Sequence, residues 1–330
     1  MATSGTVGRT VIDTAAIIEH AFRRCRVSPS AQTPENVQMA QQNLYFLMLD
    51  IGNRGLNLWA VDKTLVGLTE NQSSYAMPTG TLDVLNIIYS QPTCADGTFT
   101  QTSTNGTTII SNSASAKRVG FTLGTSYTGK IAIQGSTDSV TFTTLTTTAN
   151  TTFSSGIYNW IDLPVASAYT GIRVLSGDSP VLPITVTDIK VATSIYDLPC
   201  TPWNRDTYSA LNNKFQTGRP STNYFFEKKL IPVVTLWPIP DNSLDHIYTF
   251  IHRQPQDVGS LVQQIEIPQR WLDGIIWLLA ARLCFELPSV DPILMQMILS
   301  MADRQELEAE QSETDGLPIY LQPNIGCYSR

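Results

Sequence analysis

The stretch from Asn212 to Asp241 reads NNKFQTGRPSTNYFFEKKLIPVVTLWPIPD. Its second half is apolar and β-favouring and closes on Pro238 and Pro240, which predicts a strand running into a tight turn. Its first half, with Lys214, Gly218, Arg219 and Pro220, predicts a loop. No nucleophile elbow, phosphate loop or metal-ligand spacing occurs in it. Its aromatics and fixed turns therefore call for a role other than chemistry.

Outside this stretch the pattern is helical, then β, then helical again. Val11, Ala15, Ile18, Phe22 and Cys25 recur at helical spacing and predict one apolar helix face. A second helix is predicted from Thr33 as N-cap and Pro34 in the first turn, with Val37, Ala40, Leu44, Leu47 and Ile51 facing inward. Short strands are expected over 65–90 and 207–267. A third helix starts near Pro268 and carries Trp271, Ile275, Leu278, Leu279 and Leu283. A fourth, capped by Asp291, would turn Leu294, Met297, Ile298 and Met301 inward. Between about Gln91 and Ile195, Glu, His and Met vanish and Thr and Ser multiply. KRVGFTLG, GKIAIQGSTDSVTFTTLTTT, IYNWIDLP, YTGIRVLSG and LPITVTDIKVA read there as short strands separated by turns, the pattern of a β-sandwich or jelly roll.

Composition narrows the function. The chain has 330 residues and a formal net charge of -7, a poor match to a protein that grips a nucleic-acid backbone. MATSGTVGRT has no apolar core, so no signal peptide is expected, and GIIWLLAARLCF is too short to span a bilayer. Cys25, Cys94, Cys200, Cys284 and Cys327 are scattered and odd in number, which suggests reduced thiols in an intracellular setting. His20, His246 and His252 stand in no zinc spacing. Asp138 in GSTDS and Asp162 in NWIDLP read as turn formers before glycosidase acids. No catalytic residue, metal site or cofactor is expected.

The motif NKxQxGRPxxxY followed by LWPxPD, over Asn213 to Asp241, resembles the head-to-tail adaptor proteins (tail tubular or head completion proteins) of short-tailed bacteriophages. The same block order continues through FRRCRV, PENVQMAQQNLYFLMLDIGNRGLNLW, YAMPTGTLDVLNI and YTFIHRQPQDVGSLVQQIEIPQRWLDGIIWLLAARLCFELP. The resemblance covers roughly Val11 to Ser90 and Ile195 to Asp315. The intervening segment departs from the smaller members of the family and is similar to discoidin-type or carbohydrate-module jelly rolls, through IAIQGSTDSVTFTTL and YTGIRV.

The expected class is thus α+β: a helical bundle with a β-rich middle, plus an inserted β-sandwich or jelly-roll domain. Its parts would be 1–90 and 196–315 for the adaptor domain, 91–195 for the insert and 316–330 for an extended C-terminal arm. The resemblance implies a structural virion protein: a dodecameric ring at the head-tail interface, assembled in the host cytoplasm and not inserted in a membrane. It would join the portal to the tail nozzle or tube and pass phage DNA without sequence-specific binding. An acidic balance suits such a duct, because many Lys/Arg contacts would hold DNA in place. Arg219, Pro220, Tyr224, Trp237 and Pro238 are then candidates for subunit or tail contacts. Leu317, Ile319, Tyr320, Leu321, Ile325 and Tyr328 are candidates for a portal-docking arm, since Pro318 and Pro323 bar a helix there. The alternative is a carbohydrate-binding or host-recognition virion protein acting through the insert, with Tyr127, Tyr158, Trp160 and Tyr169 as candidate glycan contacts.

Overall fold

The computed structural model describes residues 12–54, 58–95, 97–101, 105–179, 182–256, 258–287 and 290–312. Its helices are α1 (Thr14–Arg24), α2 (Pro34–Arg54), α3 (Arg205–Ser209), α4 (Leu272–Glu286) and α5 (Pro292–Ser312). The strands up to the middle of the chain are β1 (Val61–Gly67), β2 (Ser74–Ala76), β3 (Thr81–Ala95), β4 (Gly97–Gln101), β5 (Asn105–Leu123), β6 (Tyr127–Gly129), β7 (Ile131–Ser136) and β8 (Thr143–Thr147). They continue as β9 (Thr151–Phe153), β10 (Asn159–Ser176), β11 (Val186–Pro199), β12 (Thr201–Trp203), β13 (Asn223–Glu227), β14 (Val233–Trp237) and β15 (His246–Arg253). The chain divides into two compact units, 1–61 with 253–330, and 62–252.

The first unit is helical. Asp13 caps α1 by accepting from Ala16 N at 2.8 Å, and Thr33 Oγ1 accepts from Asn36 N at 3.3 Å ahead of Pro34. Both caps satisfy amides that the first helical turn leaves unpaired. Ile17, Ile18, Ala21 and Phe22 of α1, Ala40, Leu44 and Leu47 of α2, and Ile275, Leu279 and Leu283 of α4 make one core. Helix α4 is apolar nearly all round because it is covered on several sides, with Gly274, Ile276, Leu278 and Ala280 also buried. Polar ties at its rim join Arg282 to Asp50 at 2.8 Å and Asn43 to Glu286 at 3.0 Å. In α5 only Ile298, Ala302 and Ala309 are buried. Met297, expected to face inward, is 59% exposed.

The second unit overturns the expected class. Among the described residues, strand residues outnumber helical ones. Its largest element is a nine-stranded sheet ordered β1-β15-β3-β11-β5-β10-β7-β8, with β4 on β5. This is a mostly β chain and not a helical bundle hosting an insert. The expected junctions at 91 and 195 fall inside β3 and β11, which pair antiparallel with Tyr196 opposite Gln91. The chain therefore leaves and returns along neighbouring strands of one sheet.

Proline explains why the sequence pattern suggested shorter pieces. IYNWIDLP and YTGIRVLSG are one strand, β10, and KRVGFTL is the last part of β5. Pro164 removes a ladder donor, yet its φ suits extended backbone. The β10–β5 ladder breaks between Asp162 and Ser167 and again between Tyr169 and Gly171, then resumes. Strands bend at such irregularities, and β5, β7 and β10 share a core of Val119, Phe121, Ile131, Ile133, Ile172 and Val174. A further sheet, β12-β13-β14-β2, closes a second core with β3 and β15 through Tyr75, Ile87, Tyr224, Val234, Leu236 and Ile247.

Leu279, fully buried in the helical core, measures how much that core contributes. Leu279→Ala should destabilise the helical unit by about 2–5 kcal/mol, through lost burial plus the cavity left behind. Urea titration followed by far-ultraviolet circular dichroism gives the value; a change under ~1 kcal/mol would mean the site collapses without cost.

Candidate functional site

The opening stretch folds as a strap with one polar anchor. Gly218 N donates to Ile239 O at 3.0 Å and Ile239 N to Gln216 O at 2.8 Å, so the loop and the turn after β14 hold each other. Ser221 Oγ donates to Pro238 O at 2.6 Å, and Trp237 Nε1 to Asn213 O at 3.0 Å. The Arg219–Pro220 and Trp237–Pro238 peptide bonds are both cis. Arg219 Nη2 reaches the fully buried Asp245 at 2.7 Å. Asp245 also accepts from Tyr89 Oη at 2.6 Å and Asn242 Nδ2 at 3.1 Å. A buried carboxylate needs such partners. Burial and the adjoining Asp245 push the Tyr89 phenol well above its ordinary pKa.

The aromatics of this stretch divide by role. Tyr224 is buried, and Phe225 stacks on Tyr208 with ring centres 5.0 Å apart. Trp237 lies against Trp203 at 5.2 Å. Of the candidates for subunit or tail contact, Tyr224 is corrected to a core residue and Arg219 is engaged within its own subunit. Pro220, Trp237 and Pro238 are half-buried. Phe215 is 86% exposed and Leu230 fully exposed; neither stood out in the sequence, because exposure leaves no periodic signature in a loop.

A second polar centre lies where β3, β5, β10 and β15 meet. Arg118, 6% exposed, pairs with Asp162, donates to Ser90 Oγ at 3.2 Å and approaches His246 Nε2 at 2.6 Å. Since guanidinium has only donors, Nε2 must accept and the neutral imidazole carries its proton on Nδ1. Trp160 stacks on His246 at 5.3 Å and donates from Nε1 to Leu244 O at 3.1 Å. Gly120 permits this, because a Cβ there would meet the indole at 2.8 Å. Lys63 and Arg118 lie over the Tyr248 ring at 3.9 and 4.9 Å. Burial, with Arg118 and Lys63 adding, lowers the His246 pKa to about 3. His246 Nδ1 is buried without a hydrogen-bond partner and the Asp162 side chain is exposed, while the remaining contacts tie β3, β5, β10 and β15 to one another.

Two of the four glycan candidates are corrected by burial. Trp160 and Tyr169 are buried. Tyr127 and Tyr158 are half-buried, and their hydroxyls are taken up by Asp178 with Ser176 and by Asp188 respectively. Asp138 accepts from Ser136 Oγ and from the amides of Val140 and Thr141, which hold its pKa well below the carboxylate range. It shapes a turn. Leu317, Ile319, Tyr320, Leu321, Ile325 and Tyr328 lie outside the described residues. Among the described residues no His, Cys, Asp and Glu group could hold a metal ion, and no helix is long and apolar enough to cross a membrane.

Large apolar side chains are exposed on both units; on the β unit Val140, Tyr196, Phe215, Leu230 and Ile231 are more than half exposed. Phe46 of α2, Phe285 of α4, and Ile293, Met297 and Leu307 of α5 are all more than half exposed. Beside Phe46 runs a groove of about 620 Å³ lined by Gln38, Gln42, Tyr45, Val258 and Gly259.

No family model matches this chain, and no curated protein does. Among solved structures, the C-terminal domain of a chitobiase from Bacteroides fragilis is 6% identical with a TM-score of 0.23, over 28% of this chain and 64% of that one. A family 89 glycoside hydrolase from Clostridium perfringens is 15% identical with a TM-score of 0.24, over 42% of this chain and 15% of that one. CBM32-1 from a family 31 glycoside hydrolase of Clostridium perfringens is 10% identical with a TM-score of 0.22, over 42% and 97%. The chain thus spans less than two thirds of the chitobiase domain and of the family 89 hydrolase. All three scores are too low to establish a shared fold.

The His246 setting makes stability pH-dependent. An imidazole whose folded pKa lies near 3 binds no proton between there and its ordinary 6.5, while the unfolded chain does. Stability should be fully present above about pH 6.5 and fall as pH drops toward 3, by at most ~1.4 kcal/mol per pH unit from this group. Denaturant titrations across that range should show the slope, and His246→Gln should flatten it; an unchanged slope would assign the effect to carboxylates instead.

Proposed function

We propose that this chain is a structural virion subunit of the head-to-tail adaptor kind, forming a homo-oligomeric ring, with the dodecamer as the expected count. The observation that carries the reading is the exposure of Phe46, Phe285, Ile293, Met297 and Leu307 on three helices that also contribute to one core. Exposed large apolar side chains on these helices call for cover by a protein surface, and further copies of the same subunit supply it in a ring. The order of sequence blocks over Val11–Ser90 and Ile195–Asp315, which resembles that of phage adaptors, supports the same reading. In this reading the portal and the tail nozzle or tube are the other partners, and the C-terminal arm reaches the portal. The net charge of -7 lets DNA slide past without being held.

A second reading is glycan binding through the β unit, which accords with the sugar-acting proteins among the similar solved structures. Of the aromatics nominated from sequence, Trp160 and Tyr169 are buried, which leaves the half-buried Tyr127 and Tyr158 and other exposed side chains of that unit for such contacts. A glycan array with the full chain tests it: saturable binding would establish it, and an empty array would remove it.

The adaptor reading is tested by adding the full chain to portal-bearing, DNA-filled heads and imaging the vertex by electron microscopy. A ring of density below the portal is expected. Phe46→Ser combined with Met297→Ser should weaken ring formation at least tenfold in concentration dependence while leaving circular dichroism unchanged, as truncation of central apolar contacts does. A chain ended after Asp315 should fold yet fail to join the heads. Undiminished attachment by both variants would sink the reading.

A further inference from the structure

Cys25 caps the C-terminus of α1 and Cys284 sits in the last turn of α4. Their sulfurs are 3.7 Å apart, and both residues are buried, at 2% and 5% exposure. Their surroundings are the apolar side chains of the helical core, with the Ala280 carbonyl 3.5 Å from Cys25 Sγ. We propose that Cys25 and Cys284 are a redox-closable pair, which a hydroperoxide converts to a disulfide bracing α1 against α4 within one subunit.

The geometry needs little change. A disulfide has an S–S length of about 2.0 Å, so the sulfurs must approach by roughly 1.7 Å, within reach of small rotations of two side chains. The other described thiols have no such partner: Cys200 Sγ contacts the Ser221 carbonyl at 3.3 Å, and Cys94 is half-buried in β3. In chemical terms, the sulfur of Cys284, the more exposed of the two, attacks one oxygen of hydrogen peroxide. The O–O bond breaks, water leaves with the thiol proton, and a sulfenic acid forms. The sulfur of Cys25 then attacks the sulfenic sulfur, the S–O bond breaks, and a second water carries off the remaining proton. Two thiols lose two electrons and two hydrogens, and one peroxide becomes two waters.

Burial, with the neighbouring Cys284 thiol adding, pushes the Cys25 thiol up to about 12, and burial likewise raises Cys284. Both stay protonated near neutral pH, so the reaction is slow in the closed core and proceeds when the helix ends open transiently. Once made, the link closes a loop spanning most of the chain, the kind of loop for which a cross-link most restricts the unfolded state.

The test is to treat the full-length protein with hydrogen peroxide, block remaining thiols, digest it unreduced and map the peptides by mass spectrometry. The expected product joins the Cys25 and Cys284 peptides, lighter by two hydrogens and separated by dithiothreitol. Oxidised protein should also melt at a higher temperature than reduced protein, a difference absent in Cys284→Ser. Sulfinic acid at either residue without the cross-link, or preferential linkage of Cys94, Cys200 or Cys327, would overturn the proposal. So would unchanged thiols at a peroxide dose that oxidises exposed Met297.

Discussion

A single guanidinium, that of Arg118, sets the constraint on which the β unit is built. Burying it is costly unless every donor finds an acceptor, and the acceptors come from different strands: Asp162 on β10, Ser90 on β3 and His246 on β15. Satisfying it therefore brings together strands remote in sequence. The stack of Trp160 on His246 follows from the same convergence and shields the pair from water. His246 stays neutral because the strands that surround it are also those that place Arg118 beside it.

The strap from Asn212 to Asp241 applies the same logic nearby. Asp245 is fully buried and takes Arg219, Tyr89 and Asn242. Trp237 and Phe225 of the strap pack against Trp203 and Tyr208 of their own subunit, while Phe215 stays exposed. A stretch dense in aromatics and turns without chemistry is thus accounted for by its own closure. Exposed apolar side chains occur both in the strap, at Phe215, Leu230 and Ile231, and on the helices, at Phe46, Phe285 and Met297.

How far the sequence could be read depended on the range of the interaction concerned. The cap by Thr33 and the inward faces of α1 and α2 were legible, since a helix buries residues at a spacing set by its own geometry; the Asp13 cap went unread. Met297 went astray because a period locates a stripe without telling which edge of it a neighbour covers. Tyr127, Tyr158, Trp160 and Tyr169 could be marked as aromatic but not as interior. Along Thr- and Ser-rich strands, both faces look alike until a second layer is placed.

By itself the sequence determined the helical elements, the β character of the middle, and the absence of any recognisable catalytic motif, all of which follow from local spacing and residue type. Only the tertiary structure decided that the β segments join into bent strands of one nine-stranded sheet, that Pro164 bends a strand without ending it, and that Arg118 finds His246, 128 positions away. It alone set Cys25 beside Cys284, 259 positions apart. The reason is physical: a helix meets its hydrogen bonds within four residues, whereas a strand or a buried charge meets its own only through partners the chain must first bring back.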